Sequence, residues 1–377
     1  MAIPYGRFII GPISWYGFLI TLGIALAFWV ASRQETRIGL PRDTMVDVTL
    51  VAVPCGIIGA RLYYVVMNWE PFAANPLSVF AIWEGGVAIY GAVIGGAIGV
   101  FIFCLVKKIA FADILDIVAP GLLLAQAVGR WGNYFNMEAY GDVIAEPLLQ
   151  FFPLGVLIPE NGEMTWRMAT FFYESLWNFC GFLLLLQLRK RPGKRGNVFL
   201  WYLIIYGSGR FIIESLRADS LWLGEYRVSQ GLSLLLCVFA ASMLLWRTPQ
   251  RKFSYLIPAM MGAIVAVERW CFLSEWGYLV MLLVAVLFAI YCWRRVNGAK
   301  VRLSELLIWV ALDACVALLT LFRLEVTAFL PAAIRTAVGT MLPHVHAVLS
   351  SVTLIGYVHW LVRVFSSAEA GGESECP

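Results

Sequence analysis

The sequence predicts an all-α integral membrane protein: seven membrane helices with an outward-facing cap, then about four further membrane helices toward the C-terminus. Three observations predict this. Apolar residues make up 61% of the 377 positions and charged residues 14%, against roughly a quarter charged in soluble domains. Apolar runs of about 18 residues or more recur along the chain, each long enough to cross a hydrocarbon core of about 30 Å as a helix. Basic residues recur in every second connection between those runs, the pattern that places such connections in the cytoplasm.

Taken in order, the first run covers about 13–31. One arginine precedes it and no small-residue cleavage pattern follows, so a retained helix is expected and not a signal peptide. Arg33, Arg37 and Arg42 come next. The second run, about 46–67, leads into 68–78, which has no Lys or Arg. The third, about 82–106, ends on Lys107 and Lys108. The fourth, about 114–128, is followed by a long segment of mostly acidic charge up to Arg167. The fifth, about 170–188, precedes Arg189, Lys190, Arg191, Lys194 and Arg195. The sixth covers about 198–213. The seventh, about 230–246, is followed by Arg247, Arg251 and Lys252. The expected result is an N-terminus outside and an outward cap at 131–168, too long for a simple turn and therefore a candidate functional element.

Residues 1–252 read as one seven-span domain and 253–365 as a membrane extension. Its runs fall at about 254–267, 277–293, 306–322 and 346–362. Arg294, Arg295, Lys300 and Arg302 lie between the second and third, which puts the C-terminus in the cytoplasm. The stretch 326–342, broken by Pro331 and Arg335, is expected to lie in the interface. Residues 366–377 read as a disordered tail.

Composition excludes several function classes. There is no basic stripe interleaved with aromatics, so nucleic acid is not an expected partner. The eight cysteines are scattered, without a CxxC pair, and read as small core hydrophobes. The three histidines, His344, His346 and His359, all lie in the extension. A histidine-based metal site or triad in the first seven spans is thereby excluded, and no cofactor is expected.

An ionisable residue at the centre of a membrane helix costs about 2.5–3.5 kcal/mol on insertion scales, so such residues carry information. In the first domain they are Arg61, Glu84, Asp113, Asp116, Arg130, Glu138, Arg210, Glu214 and Arg217. In Tyr206-Gly-Ser-Gly-Arg210-Phe-Ile-Ile-Glu214-Ser-Leu-Arg217, a rotation of about 100° per residue puts Tyr206, Arg210, Glu214 and Arg217 within an arc of about 80°. The small residues 207–209 allow close approach of a helix or a lipid headgroup.

A second cluster is Gly129-Arg130-Trp-Gly-Asn133-Tyr-Phe-Asn136-Met-Glu138-Ala-Tyr-Gly141. On an unbroken helix Asn136 and Glu138 would point about 160° apart, so a break near Gly132-Asn133 is expected. A guanidinium forks onto two phosphate oxygens and stays charged, so two such arginines suit a phosphodiester headgroup. The alternative is that Arg130 or Arg210 pairs with Glu138, Glu214 or another carboxylate and merely staples helices. A third segment, Trp83 to Gly96, is glycine-rich but lacks the Lys-Ser/Thr of a nucleotide loop. Close helix packing accounts for most of its glycines, though not for Glu84 or Tyr90.

These motifs resemble those of the prolipoprotein diacylglyceryl transferase family, over about residues 10–247. Ser14-Trp15-Tyr16-Gly17 is similar to the family's first-span motif, and Gly59-Ala60-Arg61-Leu62-Tyr63-Tyr64 to its second. Trp83 to Gly96 resembles its third-span glycine motif, Gly129 to Gly141 its signature, and Tyr206 to Arg217 its sixth-span motif. Arg227-Val-Ser-Gln230 stands where the family enters its seventh span.

The resemblance implies transfer of the diacylglyceryl group of phosphatidylglycerol to the lipobox cysteine of a prolipoprotein, at the bacterial cytoplasmic membrane. The products would be a thioether and glycerol phosphate. It implies that Arg130 and Arg210 hold the phosphate, that Asn133, Asn136, Glu138 and Gly141 shape the headgroup site, and that Tyr16 and Tyr206 line the cavity. Arg61, Glu214 and Arg217 are carried over as substrate-binding residues. Many family members have His-Gly-Gly where this chain has Tyr90-Gly91-Ala92. Tyrosine, with an ordinary pKa near 10, is a poor base, so Tyr90 is a catalytic candidate beside the reading that the cation pair suffices.

A secondary transporter that binds an anion through Arg130 and Arg210 is the competing function. Such proteins usually carry internal repeats, and none is visible in this sequence. A non-catalytic lipid-binding assembly protein is a third reading.

Overall fold

The computed structural model describes residues 8–247, apart from positions 12, 161, 191–192, 219–221 and 224–225, together with scattered positions between 311 and 362. A short antiparallel ribbon (β1, Phe8–Ile10; β2, Ile13–Ser14) leads into α1, Trp15–Glu35. Then come α2 (Thr44–Met67), the short α3 (Trp69–Ala74), two 3-10 turns, α4 (Ile89–Lys107) and α5 (Phe111–Asn136). A β-hairpin (β3, Gly155–Glu160; β4, Glu163–Met168) precedes α6, Thr170–Leu188. α7 (Asn197–Leu216), a minimal ribbon (β5, Trp222–Leu223; β6, Tyr226–Arg227) and α8 (Val228–Trp246) follow.

The described chain is thus that of a mostly helical, multi-pass membrane protein. Among the described residues, six helices, α1, α2, α4, α5, α6 and α8, have the length and apolarity to cross a membrane. α7 is not among them. It carries Arg210 and Glu214, and twelve of its twenty residues are buried. A helix shielded by protein need not be apolar all round.

Three details differ from expectation. The run read as starting at 82 becomes α-helical only at Ile89, because Gly85 and Gly86 adopt φ of 89° and 70°, a backbone that glycine tolerates and other residues resist. The described chain is not purely helical: residues 155–168 form a hairpin whose Val156 and Ile158 are buried, the alternation of a one-faced strand. The four spans and tail expected beyond residue 252 lie outside the described residues, apart from the scattered positions.

The chain divides into two compact units. The smaller comprises Thr21–Ala125 and Leu185–Phe199. Its core gathers Ala31, Met45, Val48, Val100, Cys104, Ile114 and Ile117. α2 and α4 pack backbone to backbone: a Cβ on Gly95 would lie 2.9 Å from the Gly59 Cα. Carboxylates tie down helix starts. Glu35 accepts from the backbone N–H of Asp43 (3.1 Å) and Met45 (3.0 Å) at the head of α2, and Asp116 from Gly196 (2.6 Å) and Phe199 (2.8 Å) at the head of α7. Negative charge at those ends satisfies otherwise orphaned N–H groups.

Arg61 in the same unit donates to four carbonyls, those of Val79, Gly85, Gly86 and Ser78, at 2.5–2.9 Å. Four of its five N–H groups therefore fasten the connection between α2 and α4. Lysine has the charge but not the fork. Arg61→Lys is expected to leave buried carbonyls unpaired and to destabilise the protein by about 1–3 kcal/mol, read as a lowered unfolding midpoint in detergent.

Candidate active site

The larger unit comprises Met1–Ile20, Gln126–Leu184 and Leu200–Pro377, and it contains most of the predicted site residues. The end of α5 supplies Arg130, Asn133 and Asn136. Contrary to the expected break at Gly132-Asn133, α5 runs on to Asn136. Gly132 serves close packing instead: a Cβ there would meet the Tyr16 ring at 2.7 Å. The turn comes at Met137 and Ala139, with φ of 55° and 56°. Left-handed backbone is uncommon for such residues and holds here because neighbours pin it. Glu138 N–H donates to the Asn133 carbonyl at 3.1 Å, and Thr170 Oγ1 donates to the Ala139 carbonyl at 2.6 Å.

This turn brings Glu138 back over the helix end. Glu138 Oε1 accepts from Asn133 Nδ2 at 2.9 Å and from Asn136 Nδ2 at 3.3 Å. Asn133 Oδ1 in turn accepts from Arg130 Nη1 at 3.5 Å. The chain of contacts continues inward. Arg130 Nη2 lies 2.6 Å from Glu174 Oε1, and Arg210 Nη1 lies 3.4 Å from Glu174 Oε2. Arg210 Nη2 is 2.6 Å from Glu214 Oε2. Arg227 donates to the Glu214 backbone carbonyl.

Two guanidiniums, one from α5 and one from α7, therefore converge on a single carboxylate from α6. Exposure is graded along this chain. The Glu174 and Glu214 side chains are 3% and 2% exposed, whereas Arg130 and Arg210 retain 22% and 14%. The carboxylates are buried, and the arginines are partly exposed. Hydrogen bonds lock the supporting helices: Trp131 Nε1 donates to Ser175 Oγ (3.2 Å), Ser175 Oγ to the Ala127 carbonyl (2.7 Å), and Trp177 Nε1 to the Ile205 carbonyl (2.8 Å).

Gly141 closes the turn from the other side. Its N–H donates to the Met168 carbonyl at 3.0 Å and its carbonyl accepts from Arg167 Nη1 at 3.3 Å. It also forms an isolated antiparallel bridge to the backbone of Arg217 at the end of α7. Tyr206 stacks on Tyr202 with ring centroids 5.8 Å apart. Arg61 and Tyr90 belong to the smaller unit. Arg61, expected to bind substrate, is committed to backbone carbonyls, and the Tyr90 ring lies 6.3 Å from that of Tyr63.

Glu174 was missed in the sequence. The signal was present: it is the one charged side chain in the apolar run 170–188, and the rule that drew attention to Arg130 applies to it equally.

Comparison with known proteins adds to the geometry. Residues 7–246 match the family model described as prolipoprotein diacylglyceryl transferase. Over 250 residues the chain is 43% identical to a phosphatidylglycerol–prolipoprotein diacylglyceryl transferase of Streptococcus agalactiae serotype Ia, covering 65% of this chain and 96% of that protein. Over 242 residues it is 45% identical to the protein of the same name from Bacillus cereus strain B4264, covering 64% and 88%. The match takes in every helix that supplies the arginine–carboxylate chain, and the protein belongs to the prolipoprotein diacylglyceryl transferase family.

Proposed function

We propose that this protein transfers the diacylglyceryl group of phosphatidylglycerol to the lipobox cysteine thiol of prolipoproteins, in a bacterial cytoplasmic membrane. The observation that carries the reading is the meeting of Arg130 and Arg210, both partly exposed, at the one buried carboxylate of Glu174. A thiolate sulfur forms a bond to the terminal glyceryl carbon while that carbon's bond to the phosphate oxygen breaks. The electron pair leaves on the phosphate as glycerol phosphate, and the thiol proton goes to solvent. Fixed guanidiniums stabilise negative charge as it grows on the leaving oxygen. They are strongest where water is excluded.

In this reading Arg130 and Arg210 hold the phosphate. Asn133, Asn136, Glu138 and Gly141 shape the headgroup site, and Tyr16 and Tyr206 line the cavity. Glu214 positions Arg210, and Arg217 anchors the turn through its backbone. The orientation that fits has seven spans including α7, the N-terminus and cap outside, and residues 253–365 as a separate membrane extension ending in the cytoplasm.

The test is direct. Purified full-length protein, given phosphatidylglycerol vesicles and a lipobox peptide, is expected to add one diacylglyceryl mass to the peptide. An unmodified peptide overturns the reading. The same assay decides on Tyr90. Tyr90→Phe is expected to keep nearly all activity, whereas loss of about 100-fold or more, the scale of a missing general base, would assign Tyr90 to proton transfer.

A further inference from the structure

The buried carboxylate of Glu174 has no place among the groups assigned to substrate, yet both arginines lean on it. It comes from α6, is 3% exposed, and offers one oxygen to Arg130 (2.6 Å) and the other to Arg210 (3.4 Å). Two like charges held this close repel each other unless an anion lies between them. The arginines keep 22% and 14% of their side-chain surface exposed, whereas Glu174 is buried. The product poses a particular difficulty for such a pair. The substrate phosphodiester carries one negative charge, whereas the departing phosphate monoester carries close to two at neutral pH. A guanidinium pair without a resident counter-anion would hold the product more tightly than the substrate.

We propose that Glu174 is a positioning residue that, by sharing the charge of the two guanidiniums, lets the glycerol phosphate product leave. This rests on the phosphate assignment of Arg130 and Arg210. Glu174 acts through the arginines and touches no reacting atom.

The experiment uses full-length protein in phosphatidylglycerol vesicles with a lipobox peptide, and glycerol phosphate as added inhibitor. Glu174→Gln keeps the side-chain size and removes the charge. The first turnover, followed by rapid quench, is expected to stay within about threefold of the original protein, with steady-state turnover down about tenfold and the inhibition constant for glycerol phosphate lowered by about tenfold. Burst kinetics would accompany this. A residue that merely stapled helices would weaken product binding when lost, so an unchanged or raised inhibition constant overturns the proposal. If the glutamine variant does not fold, Glu174→Asp withdraws the charge by one methylene and is expected to tighten inhibition by about threefold; a constant equal to or above that of the original protein again overturns it. Failure of the underlying reading looks different: glycerol phosphate would not inhibit the original protein, and Arg130→Ala would transfer normally.

Discussion

Arg130→Ala is expected to lower diacylglyceryl transfer by about 100- to 1,000-fold, the loss seen when one preorganised donor to a developing anion is removed. The effect belongs at the upper end of that range. Without Arg130 the buried carboxylates Glu174 and Glu214 face Arg210 with no second guanidinium from α5, and the site turns from attracting a phosphate toward repelling one. The fold should survive, because Glu174 keeps Arg210 at 3.4 Å. Arg210→Ala is harsher. It removes the 2.6 Å contact of Glu214 and one of the two ion pairs of Glu174, and breaking a buried ion pair costs about 3–5 kcal/mol. The two variants are separated by measuring unfolding midpoints beside transfer of the lipobox peptide. Arg130→Ala should be folded and nearly inactive, Arg210→Ala both destabilised and inactive. Transfer undiminished in folded Arg130→Ala would remove that residue from the headgroup site.

Gly141→Ala is expected to damage the site through sterics alone. A Cβ there would lie 2.7 Å from the Leu216 carbonyl oxygen, 2.7 Å from Met168 Cβ and 2.9 Å from Thr170 Cγ2. The Leu216 oxygen is main chain, Met168 Cβ is the root of its side chain, and Thr170 is held by the bond from its Oγ1 to the Ala139 carbonyl. Relief requires the 137–142 turn to move, and with it Glu138, three residues upstream, which organises Asn133 and Asn136. Overpacking of this kind costs about 1–3 kcal/mol. A misplacement of about 1 Å at a reacting centre can lower a rate by about 100-fold. Transfer should therefore fall by at least about tenfold while the protein remains folded; an unaltered rate would show that the turn does not set the position of Glu138.

The sequence announced the helices well because membrane burial leaves a strong mark. The run expected at 170–188 is α6 to the residue, and 46–67 misses α2 only by two at its start. Shorter features were harder. Nothing in the composition of 131–168 singles out a hairpin, since Val156 and Ile158 alternate over too few residues to stand above background. The helix break was placed four residues early because glycine and asparagine are the usual breakers; instead, left-handed backbone at Met137 and Ala139 is held by contacts from residue 170 and from the helix end. The use of Arg61 could not be read either, since its acceptors are main-chain carbonyls 17 to 25 residues away, and every residue has one.

What the sequence determined by itself is that this chain lives in lipid, and that Arg130, Arg210 and Glu214 are exceptions requiring a purpose. Both follow from transfer free energy, which depends on residue type and hardly on neighbours. Only the tertiary structure decided that Arg130 and Arg210 share Glu174, and that Glu138 folds back onto Asn133. Pairing across helices depends on the rotation and depth of each helix relative to the others. Periodicity within one helix says which side chains share a face, and leaves open what that face will meet.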